Sequence, residues 1–231
     1  MNKQVNNPMI DSMFKAGVHF GFSKTRRHSS ISPYIFGIKN KVEIFDLEKT
    51  SKLLEEAKAY VTSLAKEGKE ILFVGGKSEA RNVIKDSAVS INMSFVDGRW
   101  IGGTLTNFPQ IRKRVEKLEK LTEEREKGEL AKYTKKERLL IDSEIANLER
   151  LFSGIVSMKA LPSALFIIDS KAEKNAVKEA QDMNIPVISV LGSDCNIKGI
   201  DYPIVGNDAS RTSIKYLTQE IIKAYSEGKK A

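Results

Sequence analysis

The chain of 231 residues reads as an α/β protein: a mostly parallel sheet, flavodoxin-like in its alternation, sandwiched by helices and interrupted by an inserted antiparallel coiled-coil hairpin. Three observations carry this reading. Short apolar runs alternate with amphipathic segments along most of the sequence. The runs ILFV and ALFII are apolar at every position, as strands buried on both faces are. Residues 107–155 contain no strand pattern and 22 charged side chains, which marks them as an insertion.

The expected strands are Val42–Leu47, Glu70–Gly75, Met93–Val96, Leu165–Asp169, Pro186–Leu191 and Tyr202–Val205. Between the first two, Thr50–Glu67 returns Leu53, Leu54, Ala57, Val61 and Leu64 at helical spacing, and Gly68 stops it. Ser170 with Glu173 predicts a capping box at the start of a later helix, and Asp208 is expected to cap the last, which carries Ile214, Leu217, Ile221 and Tyr225. In the insertion, Ile111, Val115 and Leu118 form one apolar row, and Ile141, Ile145, Leu148, Phe152 and Ile155 form another. Spacings of three and four are those of a heptad seam, and the polar stretch around Gly128–Thr134 turns the chain back. Thr122 and Arg125 end the first row, so the tip should pack loosely. The expected organisation is an α/β unit of residues 1–106 and 156–231, with a protruding hairpin over 107–155. Residues 1–8 are polar and expected to be mobile until bound.

Thirty-eight Lys and Arg against 30 Asp and Glu give a formal charge of +8, which favours an anionic partner, nucleic acid first. Residues 1–30 carry five basic and one acidic side chain, whereas residues 156–231 carry ten and nine, so the basic surface should be local to the N-terminal region. The single cysteine, Cys195, excludes an intramolecular disulfide and fits a reducing compartment, with the cytoplasm as the default. No run of about 18 apolar residues predicts a membrane span.

Most motifs that could carry catalysis are incomplete. Gly75-Gly76-Lys77-Ser78 follows a strand and precedes a helix, but a phosphate-binding loop needs a glycine where Ile71 stands, so the run reads as an ordinary turn. Asp169 ends a strand as a metal-holding Asp would, yet an Asp capping the turn into the next helix is the better reading. His19, His28 and one distant cysteine make no closed zinc site. Neither metal nor cofactor is expected. A nucleotide-dependent α/β enzyme built around Gly75 and Asp169, or a small-molecule sensor, is the alternative, since fold alone does not decide function.

Two segments point to RNA. Ser23 to Ser30 joins Lys24, Arg26 and Arg27 with Thr25, His28 and serine hydroxyls in a stretch without hydrophobic period, which suits a loop gripping phosphates. Asp97 to Asn107 holds the lone tryptophan: Arg99 beside Trp100 could stack on or pair with RNA, while Trp100 could equally plug the core and anchor the hairpin. Arg112 and Lys113 just beyond could take phosphate.

Taken together these residues resemble the ribosomal protein two family of the bacterial small subunit, from about Met9 to Gly228. The likeness rests on Ala16 to Gly21, Ile35 to Gly37 with Asn40 to Val42, Asp46 to Thr50, Phe73 to Gly75, Arg99 to Gly103 with Leu105 to Asn107, Leu130 to Glu137, and Pro162 to Pro186 with Asp169, Glu173 and Glu179 at the family spacing. Membership implies a structural, non-enzymatic constituent of the 30S subunit. It would bind 16S rRNA between head and body, join late in assembly, and meet neighbouring small-subunit proteins and ribosomal protein one. The resemblance adds Lys39, Asn40, Thr106 and Asn107 to the candidate RNA-binding residues. Phe22 stands where many relatives have a second histidine, which weakens any metal reading further.

Overall fold

A computed structural model describes residues 8–230 of the chain; the expectation of a mobile N-terminal stretch falls, for residues 1–7, outside the described residues. The elements are α1 (Pro8–Lys15), β1 (Phe20–Ser23), β2 (Ile35–Lys39), β3 (Val42–Phe45), α2 (Leu47–Lys66), β4 (Ile71–Val74), α3 (Ser78–Ser90), β5 (Phe95–Val96), α4 (Phe108–Glu126), α5 (Lys135–Phe152), β6 (Ala164–Ile168), α6 (Lys174–Asp182), β7 (Val187–Leu191), β8 (Tyr202–Val205) and α7 (Arg211–Lys230).

The apolar runs form a parallel five-stranded sheet in the order β5-β4-β6-β7-β8. In sequence order this is 2-1-3-4-5, the flavodoxin-like winding, which reverses between β4 and β6. Every residue of β4, β6 and β7 is buried, because helices cover both faces. On one face Phe73, Phe166, Ile188 and Ile204 meet Leu54, Val61, Ile84, Leu217 and Ile221 of α2, α3 and α7. The last two turns of α7 lie close against α2: a Cβ on Gly228 would sit 2.7 Å from the Thr62 carbonyl oxygen, so only glycine fits there. Truncating a side chain such as Leu54 in this layer should cost about 2–5 kcal/mol.

On the other face Leu72, Val74, Leu165, Ile167 and Val187 meet α6 and the base of the insertion. Ile111, Val115, Leu118, Ile145, Leu148, Phe152 and Ile155 are all buried there, as their spacing predicts. Ion pairs of Lys117 with Glu144 and of Arg125 with Glu149 link the flanks of α4 and α5. Thr134 opens α5 with a capping box closed by Glu137. Farther out the core thins: Thr122 is half-buried and Arg125 exposed, but Leu130 tucks back into a buried position, so the tip holds one apolar plug.

A second sheet was not expected. β1, β3 and β2 pair antiparallel in that order, and only Glu43 and Phe45 among their residues are buried. Two caps also differ from expectation. The Glu173 carboxylate is drawn away to the Gly76 amide at 3.0 Å, so no Ser170–Glu173 box forms; Asp169 instead accepts the Lys171 and Ala172 amides, both at 3.0 Å. Before α7 it is Asn207, not Asp208, that accepts the Ala209 and Ser210 amides. Among the described residues no helix is long and apolar enough to cross a membrane.

Candidate nucleic-acid interface

The expected RNA-binding residues gather in two groups. The first leaves the three-stranded sheet at a single end, because Val42 is the register partner of both Ser23 and Lys39. Lys24, Thr25 and Arg26 follow β1 there, and Asn40 and Lys41 form the two-residue turn between β2 and β3. Both turn residues have positive φ, 50° and 66°, as the hairpin turns matched to strand twist require. Lys24, Thr25, Arg26, Lys39, Asn40 and Lys41 are exposed. Among the described residues Lys24, Lys39 and Lys41 have no carboxylate partner, and the Arg26 guanidinium lies over the Phe22 ring at 5.4 Å.

Arg27 and His28 point inward instead. Arg27 pairs at 3.2 Å with Glu43, whose side chain is fully buried. His28 Nδ1 lies 2.8 Å from the Ser30 hydroxyl and accepts the Ser30 amide, while the His28 amide donates to the Ser193 carbonyl at 2.9 Å. These two side chains shape the loop that presents the cations. His19 is also internal, stacked on Phe14 at 4.4 Å, and burial lowers its pKa.

The second group surrounds the root of the insertion. Trp100 is a correction: its ring is 6% exposed, so it offers no face to a base, and its indole N–H donates to Glu179 Oε1 at 2.9 Å. Its other sequence reading, a core plug at the foot of the insertion, is the one seen. Glu179 also accepts the amides of Gly103, Leu105 and Thr106 and the Thr106 hydroxyl, at 2.9 to 3.2 Å. Burial alone would raise its pKa; the Trp100 indole and the three amides outweigh that and hold it below the usual carboxylate value. Sequence reasoning saw Glu179 only as a spaced family residue, since nothing local marks an acid on α6 as the anchor of a loop some 75 positions earlier.

Arg112 is a second correction: it donates to the Val156 carbonyl at 2.9 Å and pairs with Glu119 at 3.3 Å, so its charge is already matched. Arg99, Thr106, Asn107 and Lys113 are exposed, and among the described residues Arg99 and Lys113 have no carboxylate partner. Arg99 borders a cleft of about 440 Å³ with Lys77 and Arg81. Lys77 in turn lies 5.9 Å above the Phe22 ring, the ring that Arg26 covers. Phe22 thus links the two basic groups along one edge of the molecule.

That edge holds the carboxyl ends of the parallel strands, where folds of this winding keep their ligands. Here it is closed by the chain's own charges. Lys77 lies 2.7 Å from Asp169 and 2.8 Å from Asp208. Burial would lower the Lys77 pKa, but the two carboxylates raise it above normal. Asp169, despite burial, is held low by Lys77 and the Ala172 amide, whereas burial pushes Asp208 up to about 6 against the pull of Lys77. The two acids share one cation, so one of them takes a proton the more easily. Asp169, Cys195 and Asp208 have metal-ligand chemistry, but the ammonium already sits between the two carboxylates. The Cys195 thiol is buried and pushed up to about 12 by that burial, so it is no nucleophile. At the neighbouring turn, Glu173 occupies the Gly76 amide that a phosphate would seek.

The fold and the site define a doubly wound α/β protein whose strand-end crevice is filled by its own ion pairs and whose adjoining edge carries exposed cations. The comparisons specify the class. Residues 13–228 match the family model described as "Ribosomal protein S2". The chain is 41% identical over 220 residues to "Small ribosomal subunit protein uS2" of Sulfurimonas denitrificans, covering 95% of this chain and 85% of that relative. It is 42% identical over 220 residues to the protein of the same name from a Nitratiruptor species, covering 95% and 82%. The chain therefore belongs to the ribosomal protein S2 family, whose members are structural proteins of the small ribosomal subunit and not enzymes.

Proposed function

We propose that the chain binds 16S rRNA as a constituent of the small ribosomal subunit, lodged between head and body and added late in assembly, in the cytoplasm. The observation that supports it is the row of unmatched cations along one edge: Lys24, Arg26, Lys39 and Lys41 at the end of the small sheet, Arg81 and Arg99 beside the cleft. These side chains neutralise phosphates, contacts that hold an RNA in place without reading its bases. Residues 1–106 and 156–231 form the RNA-binding unit. Residues 107–155 act as an arm that braces neighbouring RNA or small-subunit proteins, and ribosomal protein one docks on the assembled subunit.

The test is sedimentation of a tagged chain from its own cells through a sucrose gradient at moderate salt. Migration with small subunits and whole ribosomes is the expected result; recovery among free soluble proteins would overturn the reading. The double variant Lys24→Ala/Arg26→Ala should shift the protein towards the free fractions at lower salt than the unchanged chain needs.

A further inference from the structure

A second basic surface lies apart from the two groups above, mostly in the region whose overall charge is balanced. Lys174 and Lys178 lie one turn apart on the same face of α6, and Lys171 sits in the turn that leads into it. Lys198, in the connection between β7 and β8, faces them across a groove of about 400 Å³, and His28 closes its end. The groove holds one acid, Asp194, which Lys171 neutralises at 2.7 Å. Lys174, Lys178 and Lys198 are exposed, and among the described residues none has a carboxylate partner.

We propose that this groove binds the phosphodiester backbone of duplex RNA, an inference that rests on the RNA-binding reading above and extends it to a separate surface. Its lining has three unmatched ammonium groups and no Phe, Tyr or Trp on which an unpaired base could stack, which favours backbone over single-stranded bases. Lys is a point charge suited to phosphate without bidentate base readout. His28, which lines the groove, follows Arg26 by two residues along the chain, so the groove and the Lys24–Arg26 loop are neighbours.

The probe is a short RNA duplex titrated into the full chain at several salt concentrations, alongside Lys174→Gln/Lys178→Gln/Lys198→Gln and Lys24→Ala/Arg26→Ala, each with a thermal melt to show that it folds. If the groove binds phosphate, the triple variant loses affinity and its slope of log K against log salt is shallower by about 2 to 3, at roughly 0.9 per lost contact. An unchanged slope in the triple variant, with weakened binding in the loop variant, overturns the groove and leaves the loop reading intact. If the unchanged chain fails to bind duplex, both readings fall. Retained duplex binding by the triple variant with loss of polyglutamate binding would make the groove a protein site, and would likewise overturn the proposal.

Discussion

The buried cluster at the carboxyl ends of the strands and the exposed loop after β1 lie within reach of the same Phe22 ring, and both are built around lysine and arginine. They differ in where the counter-charge comes from. Lys77 finds Asp169 and Asp208 within 2.8 Å inside the chain, whereas Lys24 and Lys39 find no carboxylate among the described residues. A cation matched internally serves the fold, and one left unmatched at the surface is open to an anion from outside the chain. Residue type and a glycine-rich turn do not separate the two cases; the partner does.

If that contrast holds, removing the internal cation should be the most damaging single change. Lys77→Met leaves two buried carboxylates facing each other and should lower stability by about 3–5 kcal/mol, read as a shift of the urea midpoint at unchanged slope. Duplex affinity of the fraction that remains folded should not move. A variant of normal stability with weakened RNA binding would place Lys77 on the wrong side of the comparison.

Glu179→Gln comes next. It replaces the carboxylate that gathers Trp100, Gly103, Leu105 and Thr106, and turns an amide donor towards groups that only donate. The expected loss is about 2–3 kcal/mol, accompanied by faster amide exchange at residues 103–106. Destabilisation without that local exchange would mean that Glu179 does not organise the root of the arm.

Asp208→Asn should have the smallest effect, and the most informative one. Folding raises the Asp208 pKa to about 6, so protonation favours the fold: its contribution is present below about pH 4 and lost as pH rises through about 6. Asp169 and Glu179 are held low, so their contributions are present above about pH 4 and lost as acid is added. The asparagine variant should flatten the first change and leave the second, as followed by urea midpoints across pH. An unaltered profile between pH 4 and 6 would show that Asp208 does not carry the shared proton.

The large sheet was legible in the sequence because strands buried on both faces announce themselves by composition, and the arm because its apolar rows keep helical spacing. The small sheet was not: β1 and β2 are largely exposed or half-buried, so no period marks them, and their turn is Asn40-Lys41 without the glycine that usually signals a hairpin. Exposed cations were legible where charge alone decides, as at Lys24, Arg26 and Arg99. It was misread where a distant partner decides: Glu179 claims Trp100, Val156 claims Arg112, and Gly76 draws Glu173 from its cap. The cations of α6 went unnoticed because a balanced total hides how opposite charges are separated in space.

The hub at Glu179 also bears on the order in which the chain can settle as it is made. Both helices of the arm and the whole of the loop at its root leave the exit tunnel before α6 does. A nascent chain that stops after α5 can pair its two helices, but the amides of Gly103, Leu105 and Thr106 still bond to water, because their acceptor has not been synthesised. The root of the arm therefore gains its shared acceptor only when α6 arrives, after β4, β5 and β6 have been made.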